Sequence, residues 1–373
     1  MRKMSTALAL SAGVLALSGL SAPAVANDAC DLSTISVKGE VKLNGQCTYH
    51  GGLQIRQSNT SLDCNGATLV GDKGDKFGIM IKGTGINNIK VSNCRLLGYD
   101  TTPIMIMSGE KSDVLSDMRE EGFLRAPYNV VLDKITIEGT RGNAVHFNGY
   151  VNNSVLKNSK IIGSRGVAVY LGGSTRGITL ENNVFSMNGG VNEAKQREAV
   201  AVDSSARNII RDNKFVGNAA GGIFLYKNCG EYSRRPGAKL KLRWQPADDN
   251  LITRNTFSHE KIGVWVASRQ SKDLSRLKCG DPSVDGAGKF YRDYADNNVI
   301  TDNFFCSVKT AVRIEGDNNR LAGNMYDIAT KRTVLIPFAE RPKPDGSVSK
   351  GNVLDDSSNR PGGIEKCDGI QFR

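Results

Sequence analysis

Histidine is scarce in this chain, with three in 373 residues, and none of the eight cysteines forms a C-x-x-C pair. Metal held on closely spaced thiolates is therefore disfavoured. Carboxylates are outnumbered, 38 Asp and Glu against 49 Lys and Arg, for a formal charge of +11. Long apolar runs are missing too. The one extended run, Ala7 to Leu20, is too short to span a membrane. It follows Met1-Arg2-Lys3 and precedes Ala24-Val25-Ala26, so residues 1–26 read as a secretory signal peptide and Asn27 as the mature start. The expected address is periplasmic or secreted. An export signal and the lack of a recognisable binding motif argue against nucleic acid as a partner. The excess positive charge, about +9 without Arg2 and Lys3, then points to an anionic polysaccharide or a membrane surface.

What is abundant is repetition. A small residue followed by apolar, variable, apolar recurs as Gly78-Ile79-Met80-Ile81, Pro103-Ile104-Met105-Ile106, Ala144-Val145-His146-Phe147 and Ala168-Val169-Tyr170-Leu171. It continues as Ala199-Val200-Ala201-Val202, Gly222-Ile223-Phe224-Leu225, Gly263-Val264-Trp265-Val266 and Ala311-Val312-Arg313-Ile314. Copies are spaced by roughly 23–25 residues, or by that plus an insertion, as in stacked-repeat architectures. Period-two alternation makes each copy a short strand with two residues facing a core and one facing out.

A second strand lies about 15 residues downstream of most copies, ending in Asn183-Val-Phe185, Asn213-Lys-Phe215, Asn255-Thr-Phe257, Asn303-Phe-Phe305 and Asn324-Met-Tyr326. Stacked coils would set these asparagines about 4.8 Å apart, their amides bonding up the stack and satisfying backbone groups at a bend. The aromatic residues would form a column beside them.

With these strands and ladders the chain resembles the right-handed parallel β-helix proteins, in particular the carbohydrate-binding and sugar-hydrolase (CASH-type) repeats related to pectate lyases. The resemblance runs from about Thr60 to Tyr326. It implies an all-β, single-stranded right-handed solenoid with loop insertions forming a groove. The expected divisions are an N-terminal cap at 27–59, the β-helix at 60–326 and a tail at 327–373 packing on the last coils. That superfamily includes lyases, epimerases, hydrolases and non-catalytic proteins, so fold alone leaves the reaction open.

Eight cysteines in an exported chain imply disulfides. Cys64 and Cys94 occupy similar places in successive coils. Cys30 with Cys47 would staple the cap, and Cys306 with Cys367 would tie the tail. Cys229 and Cys279 lie in separate insertions and are expected to join them.

The outward column reads Met80, Met105, His146, Tyr170, Ala201, Phe224, Trp265, Arg313, followed two residues on by Lys82, Met107, Asn148, Gly172, Asp203, Tyr226, Ala267, Glu315. Aromatic platforms with a few ionisable groups suit sugar rings. Insertions at 108–127, 228–249 and 269–296 leave one edge and would wall the strip. Two of them carry Arg234, Arg235, Lys239, Lys241, Arg243, Arg269, Lys272 and Arg276, suited to planar oxyanions.

The expected substrate is therefore an acidic, uronate-containing polysaccharide or oligosaccharide. β-Elimination or C5 epimerisation needs a carboxylate neutraliser, a base and a proton donor. The candidate catalytic residues are Lys227, His146, Tyr170 and Asp203. The candidate substrate-binding residues are Arg197, Phe224, Tyr226, Arg234, Arg235, Trp265, Arg269 and Arg313. Lys227, beside Tyr226 and Phe224, is expected to be partly desolvated, with Asp203 opposing the resulting shift.

Hydrolysis needs two carboxyl groups about 5–9.5 Å apart. Asp203 alone stands mid-strip, with Glu198 or Glu231 as conceivable partners. The paired aspartates and Gly-His-Gly of polygalacturonases are missing, as is the Asp-Pro-His-Asp of alginate epimerases, so no family catalytic residue carries over. The alternatives are a glycoside hydrolase of the same fold and a non-catalytic polysaccharide-binding solenoid. No cofactor or metal site is expected, with a bound Ca2+ left open, and the protein is expected to be a monomer without a transmembrane segment.

Overall fold

The structure is a computed structural model that describes residues 24–25, 30–229, 243–277, 279 and 281–355. Its strands form three parallel sheets of 12, 10 and 10 strands, in which neighbours come from successive turns of the chain. One coil is Thr179–Glu181 in the first sheet, Val184–Ser186 in the second and Glu198–Asp203 in the third. This is a parallel β-helix. A complete coil already exists at Glu40–Lys42, Thr48–His50 and Leu53–Ile55, so stacking begins within the segment 27–59. At the other end Val334–Leu335 and Val353–Leu354 continue the third and first sheets.

The corners turn on residues with positive φ, because the chain must bend sharply between strands. In one coil these are Asn182, Met187 and Arg207, at φ of 54°, 55° and 56°. Such bends leave backbone groups out of the strand ladders, and the following residue satisfies them. Asn183 donates Nδ2 to the Leu156 carbonyl at 2.9 Å, while Asn213 Oδ1 accepts from the Asn183 backbone N–H at 2.9 Å. The expected ladder from Asn183 to Asn324 is therefore present. Two more ladders stand at the other corners, Asn188–Asn218–Glu260 and Asn208–Asn250–Asn298–Asn319–Asn352.

Inside, Phe185, Phe215, Phe257, Phe305 and Tyr326 stack with centroids 4.7–5.4 Å apart. Each buried ring adds about 2–3 kcal/mol of hydrophobic stabilisation. The third sheet buries Val145, Phe147, Val169, Leu171, Val264 and Val266 as its pattern predicts. Cys30–Cys47, Cys64–Cys94 and Cys229–Cys279 are all bonded. Cys306 is also disulfide-bonded, and its expected partner Cys367 lies outside the described residues. Such bridges suit an oxidising compartment. Among the described residues no helix is long and apolar enough to cross a membrane.

Candidate active site

The outer face of the third sheet holds the expected column in register. Met105 pairs with His146, His146 with Tyr170, Tyr170 with Ala201, Ala201 with Phe224, Phe224 with Trp265 and Trp265 with Arg313. Much of that face is covered rather than open. Met105, Ala201 and Phe224 are buried although they point away from the core. The cover comes from the insertions, which leave the corner between the third and first sheets.

The first two insertions interlock. Trp244 Nε1 donates to the Tyr150 hydroxyl at 2.8 Å, and its ring meets Phe123 edge-on at 6.3 Å. Cys229–Cys279 links the second insertion to the third. The groove is thus walled beside His146 and Tyr170, both of which stay partly exposed.

A cavity of about 460 Å³ lies beneath the walls, lined by Tyr170, Arg197, Glu198, Tyr226, Lys227 and Lys272 among others. A second, of about 420 Å³, continues toward the last coils past Trp265 and Arg313. Phe224 and Trp265 line both.

Glu198 is the one carboxylate lining the first cavity among the described residues. It accepts from Tyr226 Oη at 2.8 Å and from Arg197 Nη2 at 3.1 Å, and Arg197 also reaches the Tyr226 oxygen at 3.1 Å. Burial would raise its pKa, but the Arg197 charge and these hydrogen bonds hold it below the ordinary value. Tyr226 is pushed well above the ordinary phenol range by burial and by Glu198.

Lys227 is buried, with Nζ 4.1 Å from the Tyr294 ring centre. Burial lowers its pKa, against Asp281 and with help from Arg269 and Arg292. The desolvation foreseen from sequence is there, but its source is the third insertion. Asp281, not Asp203, is the carboxylate that opposes the shift.

Asp203 does not reach the cavity. It is fully buried, accepts from Tyr170 Oη and from the Asn228 backbone N–H at 2.9 Å, and is ion-paired with Arg243 Nη1 at 2.5 Å. With both oxygens occupied it holds the tyrosine and the second wall in place.

His146 stands edge-on to Tyr170 with centroids 4.8 Å apart. Its Nε2 is buried with no hydrogen-bond partner among the described residues, and burial with the Arg243 charge lowers its pKa to about 3. Burial thus favours the neutral ring, and His146 is not among the residues that line the first cavity.

Of the expected substrate contacts, Arg197, Phe224 and Tyr226 line the first cavity. Arg269 lines it too, yet is buried and held by Asp281 at 2.7 and 2.8 Å, which makes it a fastener of the third wall. Trp265 carries Lys272 and Arg313 over its ring at 4.2 and 4.6 Å, so cations occupy the platform expected for a sugar. Arg313 is also bonded to Glu315 at 2.5 Å. Arg234, Arg235 and Glu231 lie outside the described residues. Lys272 lines the cavity, a residue seen in sequence only as part of a general basic cluster.

Coils, corner ladders and a walled cleft on one outer face define a right-handed parallel β-helix. Residues 77–235 match the family described as "Right handed beta helix region". No curated protein matches the sequence significantly. Among solved structures, an alginate lyase from Paenibacillus sp. strain FPU-7 superposes with a TM-score of 0.55 at 13% identity, over 82% of this chain and 93% of that one. A tailspike protein mutant of E. coli bacteriophage HK620, in complex with pentasaccharide, superposes at 0.50 and 12% identity, over 85% of this chain and 60% of that one. At such identities the likeness is one of fold.

Proposed function

We propose that this protein acts on a uronate-containing polysaccharide by removing the proton α to a sugar carboxylate, as in β-elimination or C5 epimerisation. The observation that carries the reading is the content of the first cavity. Among the described residues it has a partly desolvated lysine, two tyrosine hydroxyls and several cations, with one carboxylate that is already ion-paired.

Arg197 and Lys272 are placed to neutralise the sugar carboxylate, which acidifies the C5 proton. Lys227 takes that proton, since burial raises its neutral fraction. In elimination the C5–H electron pair forms the C4–C5 double bond. The C4–O pair then leaves with the oxygen, which takes a proton from Tyr170. In epimerisation Tyr170 instead returns a proton to C5 on the opposite face. The alginate lyase at TM-score 0.55 supports the reading only by fold. Hydrolysis fits less well, because it needs two carboxyl groups at the cleft, one of them protonated.

The test is incubation of the mature protein with alginate, polygalacturonate and a neutral glucan. The expected outcome is ultraviolet absorbance of an unsaturated uronate, or C5 deuterium uptake from D2O, on an acidic polymer alone. New reducing ends without unsaturation would instead establish hydrolysis. Binding without any product would leave a non-catalytic solenoid.

A further inference from the structure

The groove has a second edge, formed by the turns from the second sheet into the third and lying opposite the insertions. Strand register carries one position of that edge from coil to coil. Glu198 pairs with Gly221, Ile223 with Val264 and Ile262 with Thr310. The residues just before these strands therefore fall into one column, Arg197, Ala220, Lys261, Lys309. The backbone bonds from Ala220 N–H to Arg197 O and from Thr310 N–H to Lys261 O, at 2.9 and 3.0 Å, hold it together. Lys331 N–H to Val308 O and Ala311 N–H to Arg332 O, at 3.0 and 2.8 Å, add Lys331 and Arg332 on the next coil.

We propose that this edge is a ladder for the carboxylates of consecutive acidic units of one polysaccharide chain, lying along the helix axis and running from the first cavity toward the last coils. The proposal rests on the uronate reading of that cavity and names the substrate as a run of acidic sugars rather than an isolated one. Rungs recur about every 4.8 Å, comparable with the length of one sugar unit in an extended chain. Lys261, Lys309 and Arg332 are exposed and make no ion pair among the described residues. They rim the second cavity, which no carboxylate lines among the described residues. Its floor of Phe224, Ile262 and Leu335 offers apolar surface to the C–H faces of a ring, while ammonium and guanidinium groups take the carboxylates.

The ladder is one-sided. In the two preceding coils the same column holds Gly142 and Gly166, by the pairing of Val145 with Val169 and Val169 with Val200. On that side Trp244 also packs against Phe123 and Tyr150. A chain held at Arg197 can then continue in one direction only.

The experiment is calorimetric titration with dimers and hexamers of galacturonate, mannuronate and guluronate. It compares the wild type with Lys261→Ala/Lys309→Ala/Arg332→Ala. A second triple variant, Lys90→Ala/Lys134→Ala/Lys160→Ala, removes the same charge from exposed positions on the first and second sheets and the corner between them, off the groove. The hexamer-to-dimer affinity ratio should fall at least tenfold in the first variant and stay at the wild-type value in the second. Circular dichroism melts of all three proteins report whether each is folded. An unchanged ratio in the first variant overturns the ladder and leaves the uronate reading intact, provided the wild type binds a hexamer. A wild type that binds none of the hexamers overturns both. Equal losses in the two variants would reduce the ladder to net charge and overturn it.

Discussion

The hydroxyl of Tyr170 donates to Asp203, a fully buried carboxylate on the next coil of the third sheet. The same carboxylate binds Arg243 and the Asn228 backbone, so one side chain fixes a cavity residue and both ends of the second insertion. Such a group is tuned for position. Replacing it leaves Arg243 charged and nearly enclosed.

Asp203→Asn should therefore destabilise the protein by about 3 kcal/mol, the usual scale for breaking a buried pair from one side. The change would be read from urea midpoints at constant m-value. Turnover should fall as well, because the Tyr170 oxygen loses its anchor. A variant with wild-type midpoint and wild-type turnover would show that the clamp carries no strain and that Tyr170 needs no support.

Lys227 makes a sharper case, because charge and proton transfer can be separated. Lys227→Met should reduce turnover at least about a hundredfold, the common scale for an acid–base group. Lys227→Arg keeps the positive charge but stays protonated, so it should lose as much. The acidic limb of the rate profile should lie below the ordinary lysine range, since burial lowers this pKa and the neutral form is the active one. Activity retained in the arginine variant would make Lys227 an electrostatic clamp.

The Cys229–Cys279 bridge joins two insertions. Coils stack on their neighbours independently of these loops, so Cys229→Ser/Cys279→Ser should leave the main thermal transition within a few degrees of the wild type. Affinity for an acidic polymer should drop severalfold, since Arg269, Lys272 and Lys227 depend on where those walls stand. A large loss of thermal stability with unchanged affinity would reverse that assignment.

The fold was legible because it is written as a period. Two core residues with one between them, and an Asn before each interior aromatic, survive any loop length, so Trp265 and Asn255 were placed without knowing the path of the chain. The site was less legible because its contacts are made by insertions that obey no period. Arg243 reaches Asp203 across 40 residues of sequence, and Asp281 captures Arg269 from within a loop. No spacing rule announces either. The basic edge is readable in the sequence, since Lys261 and Lys309 each stand three residues before the first core residue of their strand, Val264 and Val312.

Glu260 gives a prediction about pH with a definite sign. It follows the positive-φ corner residue His259, where the two preceding coils use Asn188 and Asn218. Its Oε1 accepts from the Asn218 backbone N–H at 3.2 Å and from Asn218 Nδ2 at 2.7 Å, while Oε2 is buried without a partner. Burial raises its pKa to about 8 from the ordinary 4.5, against the pull of those two hydrogen bonds. The folded protein therefore keeps a proton that the unfolded chain releases above pH 4.5. Its contribution to stability is fully present below 4.5 and is lost progressively as pH rises to about 8. His146 acts in the opposite sense: folded, it stays neutral down to about pH 3, so stability is lost as pH falls from the ordinary 6.5 toward that value. Glu260→Gln imitates the protonated carboxyl at every pH, keeping the acceptor oxygen for Asn218. Thermal midpoints measured at pH 4.5, 6.5 and 8.5 should match the wild type at the first value and exceed it increasingly at the other two. Parallel curves for the two proteins would mean that Glu260 does not hold its proton in the corner ladder.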